Sequence, residues 1–130
     1  MNEFMLRSEY VNSTQLCASI GQKNDIVKML PCIATKSMQW RIDDRGMIWS
    51  KIYPRYCLSL KNQKDDMLKN SNLGLVTPCD NSWLRTQDGL MRYSASPFVL
   101  DFDESSPDKE LRLWPLVDKR QTSRWLLSAS

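Results

Sequence analysis

The chain of 130 residues contains no histidine. This removes the side chain most used for acid–base work near neutral pH, and the commonest nitrogen ligand for metals. Its four cysteines, Cys17, Cys32, Cys57 and Cys79, form no C-x-x-C pair, so a zinc site would need ligands scattered over half the sequence. No metal is expected, and with no nucleophile motif or cofactor motif neither catalysis nor a cofactor is expected. No run approaches about 18 apolar residues, so nothing is expected to insert directly into a membrane. There is no block of one charge sign: 18 Lys and Arg are interspersed with 15 Asp and Glu, for a net charge of +3. Without a basic patch, nucleic acid is not an expected partner. Nor does any stretch hold the i, i+3, i+4, i+7 apolar pattern long enough for a helix.

What the chain does have is a period. Trp40, Trp83 and Trp125 lie 43 and then 42 residues apart. The segments that begin at Leu16, Tyr56 and Phe98 keep nearly the same step. Self-similarity at a fixed spacing means one supersecondary unit used three times. Each copy runs in the same order: a short apolar strand, a second strand ending in Pro-Cys or Pro-Leu, a tryptophan strand and a fourth strand. The runs are short and bounded by Asn, Asp, Ser, Gly and Pro, which predicts strands and tight turns throughout. The third copy stops before its fourth strand. The missing piece is at the start, where Glu3-Phe4-Met5-Leu6-Arg7-Ser8 resembles Gly89-Leu90-Met91-Arg92-Tyr93-Ser94 and Met5, Ile48 and Met91 are each 43 apart. An all-β β-trefoil is therefore predicted. It is one domain over residues 1–130, with lobes at 9–52, 53–95 and 96–130, the last completed and the ring closed by residues 1–8. Three independent domains are excluded, since units this small could not hold separate cores. Trp40, Trp83 and Trp125 are expected in the core, and Trp49, Tyr53, Tyr56 and Tyr93 at the barrel bottom and between lobes.

The cysteines follow the repeat. Cys17 and Cys32 bracket the first hairpin of copy one, and Cys57 and Cys79 that of copy two; copy three has Val99 and Leu116 there. Of the three possible connectivities the repeat selects Cys17–Cys32 and Cys57–Cys79. Disulfides point to an oxidising, extracellular compartment. The opening Met1-Asn2-Glu3-Phe4 has neither a basic n-region nor a long apolar core, so export requires a leader already removed. The sequon Asn12-Ser13-Thr14 makes Asn12 a candidate glycosylation site.

The order of cysteine strand, Pro-Cys strand and tryptophan strand resembles the ricin-type (Q-x-W) lectin β-trefoils over the whole chain. Here the triplets are Met38-Gln39-Trp40, Asn81-Ser82-Trp83 and Ser123-Arg124-Trp125: the tryptophan is kept three times and the glutamine never at its usual place. Within that family the chain is most similar to the N-terminal cysteine-rich domain of the mannose receptor group. That domain also has two disulfide-bearing lobes and a cysteine-free third lobe ending in Ser-Arg-Trp. The resemblance implies a sugar pocket per lobe, built from an aspartate two positions after the first cysteine and an aromatic two before the second. It implies a polar residue near the tryptophan strand as well. Copy one offers Ser19 and Leu30, copy two Ser59 and Thr77, and neither can make this site. Copy three offers Asp101 and Trp114, with Gln121 and Thr122 near the polar place. A carboxylate for hydroxyls and a ring for the C–H face of a pyranose suit the chemistry of a sugar. The related domain's stacking tryptophan precedes Ser-Arg-Trp, where this chain has Thr122. The expected function is glycan or glycoprotein recognition without turnover, sulfated or galactose-type sugars included, as a secreted lectin or within a larger receptor. The alternative is a trefoil that binds protein and has lost its sugar sites.

Overall fold

The computed structural model describes residues 3–64 and 68–129. Met1 and Asn2 of the expected closing segment, and Ser130, lie outside the described residues. Twelve strands are described: β1 Glu3–Ser8, β2 Leu16–Ser19, β3 Lys28–Pro31, β4 Trp40–Ile42, β5 Ile48–Ser50, β6 Cys57–Asn62, β7 Asn72–Val76, β8 Trp83–Arg85, β9 Met91–Tyr93, β10 Phe98–Phe102, β11 Leu111–Pro115 and β12 Trp125–Ala129. Three short 3-10 turns, Lys36–Met38, Leu116–Asp118 and Gln121–Ser123, are the only helical pieces among the described residues. None is long and apolar enough to cross a membrane.

All ladders are antiparallel. The outer hairpins pair β2 with β3, β6 with β7 and β10 with β11. The N-terminal strand lies along the last one as expected, from Phe4 opposite Ala129 to Ser8 opposite Trp125. The expected ring of strands is not closed, however. The ladder runs β3-β2-β1-β4-β5-β6-β7-β11-β10-β9-β8, with β12 joined only to β1. The reason is local. Strands β4, β5, β8 and β9 are three residues each, and the turns entering β5 and β9 carry Gly46 and Gly89 at φ +85° and +87°. The chain bends there, and each junction keeps one close backbone bond. The Trp83 N–H donates to the Gly46 carbonyl at 2.7 Å, and the Trp125 N–H to the Gly89 carbonyl at 2.9 Å. A Cβ on residue 46 would come within 2.7 Å of the Trp83 carbonyl oxygen, so only glycine fits that approach.

The core repeats threefold. Trp40 and Trp125 are fully buried and Trp83 nearly so, surrounded by Leu6, Ile20, Ile48, Leu58, Leu73, Met91, Leu100, Phe102 and Leu113. Each indole N–H finds the same acceptor in its own lobe: Trp40 donates to the Ala18 carbonyl at 3.2 Å, Trp83 to Leu58 at 3.0 Å and Trp125 to Leu100 at 3.0 Å. The tryptophan strand is thereby tied to the first strand of its hairpin. A buried ring is accommodated without leaving its polar atom unpaired. The disulfides are Cys17–Cys32 and Cys57–Cys79, with no free cysteine. Of the other aromatics, Tyr93 meets Trp83 edge to face with ring centroids 5.0 Å apart, and the Trp49 indole N–H donates to Asp43 at 3.0 Å.

Candidate functional site

The third hairpin is where sequence reasoning placed the sugar-binding residues. Asp101 on β10 stands directly across from Arg112 on β11. Its side chain is fully buried, and both carboxylate oxygens are engaged. Oδ2 accepts from Arg112 Nε at 2.8 Å and lies 3.6 Å from Arg120 Nε. Oδ1 accepts from the hydroxyls of Thr122 at 2.6 Å and Ser123 at 2.9 Å. Thr122 in turn accepts from Arg120 Nε at 3.1 Å. One carboxylate thus joins both strands of the hairpin to the 3-10 turn before Trp125. Arg112 is itself only 8% exposed. A buried charge of this kind is tolerable because it is paired and its remaining lone pairs are satisfied.

Arg112 passes the network outward. Its guanidinium carbon sits 4.0 Å from the centroid of the Trp114 ring, with Lys69 at 4.8 Å and Arg120 at 5.7 Å. The indole N–H donates to Asp118 Oδ2 at 2.8 Å. Three cations and a carboxylate therefore fix the orientation of a half-exposed ring. Gln121 is exposed. With Thr122, Tyr10, Glu104 and Arg120 it lines a cavity of about 230 Å³. Glu104 binds Arg120 at 2.8 Å. Just past β10, Asp103 accepts from the Ser105 hydroxyl at 2.6 Å and the Ser105 N–H at 3.0 Å. Those bonds, helped by Arg112 and Arg120, outweigh partial burial and hold its carboxyl below the usual range.

Of the four candidate residues, Asp101 and Thr122 are bonded to each other, and Thr122 and Gln121 share the small cavity. Trp114 is not part of its lining and reaches the network through Arg112. Sequence reasoning missed Arg112, Lys69, Tyr10 and Glu104. Arg112 had a usable signal, since the partner of Asp101 follows from counting back along the hairpin. Tyr10 and Lys69 arrive from distant parts of the chain, whereas Glu104 lies only three residues past Asp101.

The corresponding places in the other lobes differ. Ser19 and Ser59 are buried where Asp101 stands. Leu30, across from Cys17, is 47% exposed. In the second lobe the residue across from Cys57 is Val76, one before the Thr77 expected from counting back from Cys79. A cavity of about 360 Å³ beside Ser19 and Leu30 has no aromatic wall. Another of about 570 Å³ lies between the first and third hairpins and includes the sequon Asn12, Ser13 and Thr14.

No family model and no curated protein matches the sequence. The fold does have counterparts among solved structures. The agglutinin from Abrus precatorius superposes with a TM-score of 0.75 at 17% identity, over 97% of this chain and 46% of that one. The chain thus spans about half the length of that protein. The Macrolepiota procera ricin B-like lectin, solved in complex with lactose, gives 0.77 at 14% identity, covering 99% and 96%. The C-half of the earthworm R-type lectin, solved in complex with GalNAc, gives 0.73 at 13% identity and covers both chains completely. Strand pairing, the threefold tryptophan bond and these superpositions agree that the chain has the β-trefoil fold of the ricin B-type lectins.

Proposed function

We propose that this chain is a carbohydrate-binding module without catalytic activity, acting outside the cell, with its sugar site in the third lobe. The observation that carries the reading is Trp114. It is the one residue at its place in the repeat that offers a ring, against Leu30 and Val76, and it is held half-exposed by the Asp101–Arg112 pair. Trp114 supplies a face for the C–H side of a pyranose, and Gln121 a free amide for its hydroxyls. Thr122 and Asp101 hold Arg112 and Arg120 in place, so the fully buried Asp101 acts through its neighbours. The local charges, Lys69, Arg112 and Arg120 against Asp101, Asp103, Glu104 and Asp118, come close to cancelling. That balance suits a neutral polyhydroxylated ligand, and the lactose and GalNAc bound by similar folds favour galactose-type sugars.

Two disulfide lobes and a cysteine-free third support a place near the cysteine-rich domain of the mannose receptor group, within a larger receptor or as a secreted lectin. Asn12, exposed on the loop before β2, fits glycosylation in that setting. A shallow single site has millimolar to micromolar affinity, about −4 to −8 kcal/mol, so avidity would come from neighbouring modules.

The test is a glycan panel read with the native protein and with Trp114→Ala and Gln121→Ala. Binding of galactose-type sugars that drops at least tenfold in Trp114→Ala, with the melting temperature unchanged, is expected. A protein silent on every glycan but retaining a protein ligand would favour the interaction module.

A further inference from the structure

A second surface differs in its chemistry from the third-lobe site. Where the loop after β5 passes the tip of the first hairpin, Ile52, Tyr53, Pro54, Arg55 and Tyr56 face Lys23 across an open cleft of about 480 Å³. That size falls within the range of small-molecule sites, about 300–1,000 Å³. Its walls are chiefly apolar. Ile52 is 40% exposed, and Tyr53 and Tyr56 are half-buried with their inner edges packed on the core. The loop is rigidly held: Ser50 Oγ accepts from the Tyr53 N–H at 3.0 Å, the Tyr53 carbonyl from the Tyr56 N–H at 2.9 Å, and the Pro54 carbonyl from Arg41 at 3.2 Å. The Tyr53 hydroxyl donates to the Gly21 carbonyl at 3.4 Å, which ties the loop to the hairpin across the cleft.

The charges at this cleft are not balanced. Lys23 lies 5.1 Å from the centroid of the Tyr56 ring. Like most cations of the chain, Lys23 and Arg55 have no ion-pair partner among the described residues, and no carboxylate lines the cleft beside them. The carboxylate on the same hairpin loop, Asp25, is turned onto its own turn, where Oδ2 accepts from the Gln22 N–H at 2.8 Å. Two exposed cations beside two tyrosine rings and a proline call for a small ligand with one apolar face and one negative charge.

We propose that this cleft is a second carbohydrate subsite, selective for an acidic pyranose carrying a carboxylate or a sulfate. The ring stacks on Tyr53 and Tyr56, and the anion meets Lys23 and Arg55. The inference rests on the reading of the chain as a carbohydrate-binding module, but not on the third-lobe site, whose charges nearly cancel. Its subsite is separate in place and in ligand.

The experiment titrates isotope-labelled protein with sialyl-lactose, sulfated lactose and lactose, and follows the backbone amide signals, with the carbonyl carbon read at Pro54, which has no N–H. Acidic sugars are expected to shift Lys23 and residues 52–56, with an affinity that falls as salt is raised. The double variant Lys23→Ala/Arg55→Ala, changed only at exposed positions, is expected to weaken that binding at least tenfold, and Trp114→Ala to leave it unchanged. Shifts from one acidic sugar alone still support the subsite and name its anion. Neutral lactose moving the same signals equally would overturn the selectivity. Acidic sugars that leave Lys23 and 52–56 unmoved, or whose binding is abolished by Trp114→Ala and spared by the double variant, would overturn the subsite. An acidic peptide that shifts these signals where neither acidic sugar does would overturn it in favour of a protein ligand. Lactose failing to shift the surroundings of Trp114 would count against the third-lobe reading alone.

Discussion

In the first and second lobes the outer hairpin is clasped by Cys17–Cys32 and Cys57–Cys79. In the third, with Val99 and Leu116 at those places, the clasp is Asp101 across from Arg112. The same register positions hold Ser19 opposite Lys28 and Ser59 opposite Gly74 in the other lobes. All three lobes tie this strand residue to the segment before their tryptophan, but with reversed polarity. In the third, a strand carboxylate accepts from the loop hydroxyls of Thr122 and Ser123. In the second, the strand hydroxyl of Ser59 donates to Asp80 at 2.9 Å, with the Asn81 side-chain oxygen 3.4 Å away. In the first, only a 3.4 Å contact from Ser19 to Ser37 remains. A covalent clasp leaves the strand residue little to do for stability. An ionic clasp makes it central, and it also places an arginine against Trp114.

The largest effect follows from removing one half of the ionic clasp. Asp101→Ala leaves Arg112 buried without its partner and two hydroxyls without their acceptor, and should cost about 3–5 kcal/mol. That is a large part of the stability of a domain this size. Replacing both partners, Asp101→Leu with Arg112→Met, should recover part of the loss. The Thr122 and Ser123 hydroxyl protons still lack their acceptor, so recovery stays incomplete. Urea midpoints at constant slope would show it. A cost below about 1 kcal/mol for Asp101→Ala would mean that the two kinds of clasp are not equivalent.

The covalent clasps come next. Cys57→Ser/Cys79→Ser opens a loop of 22 residues and Cys17→Ser/Cys32→Ser one of 15. The chain-entropy model gives about 3 kcal/mol for each, slightly more for the longer loop. A reductant should destabilise the native protein by a similar amount per bond and leave the third lobe's network untouched. If either double variant matched the native midpoint, the disulfides would be accessory rather than the counterpart of Asp101–Arg112.

The contrast also explains what could be read in advance. Tryptophans at 40, 83 and 125 and the strand at Phe4 reveal the threefold fold because a repeated core imposes a repeated spacing. The disulfide partners follow for the same reason. Asp101 and Trp114 were singled out by carrying the family resemblance onto the third copy, but nothing linear says that Asp101 is fully enclosed. That depends on Arg112 across the hairpin and on Thr122 and Ser123, 21 and 22 residues along the chain. The open ring was not legible either, since it turns on single-bond junctions at Gly46 and Gly89 instead of full ladders. The cleft at Lys23 and Tyr56 joins two loops whose charges look ordinary in a well-mixed sequence. What marks them is their place beside Tyr53, Pro54 and Tyr56 in one cleft, which only the fold brings about.

The smallest effect concerns acid. Ser105 holds the Asp103 carboxyl below its usual value, through both side-chain and backbone bonds, against a partial burial that raises it, with Arg112 and Arg120 adding to the lowering. A carboxyl whose folded pKa lies below its unfolded one contributes stability that is complete above the unfolded value, near 3.8 here, and is lost as pH falls through the folded one. Asp103 is 40% exposed and its contact with Arg112 is 3.7 Å, so solvent screening limits that contribution to about 0.5 kcal/mol or less. Asp103→Asn should therefore lower the melting temperature slightly at pH 6, and the difference from the native protein should vanish well below pH 3.8. The disulfides of the first two lobes do not titrate, so acid at this position is felt by the ionic clasp alone. A deficit in Asp103→Asn that persisted unchanged into strong acid would show that the carboxylate's charge plays no part in holding the third hairpin.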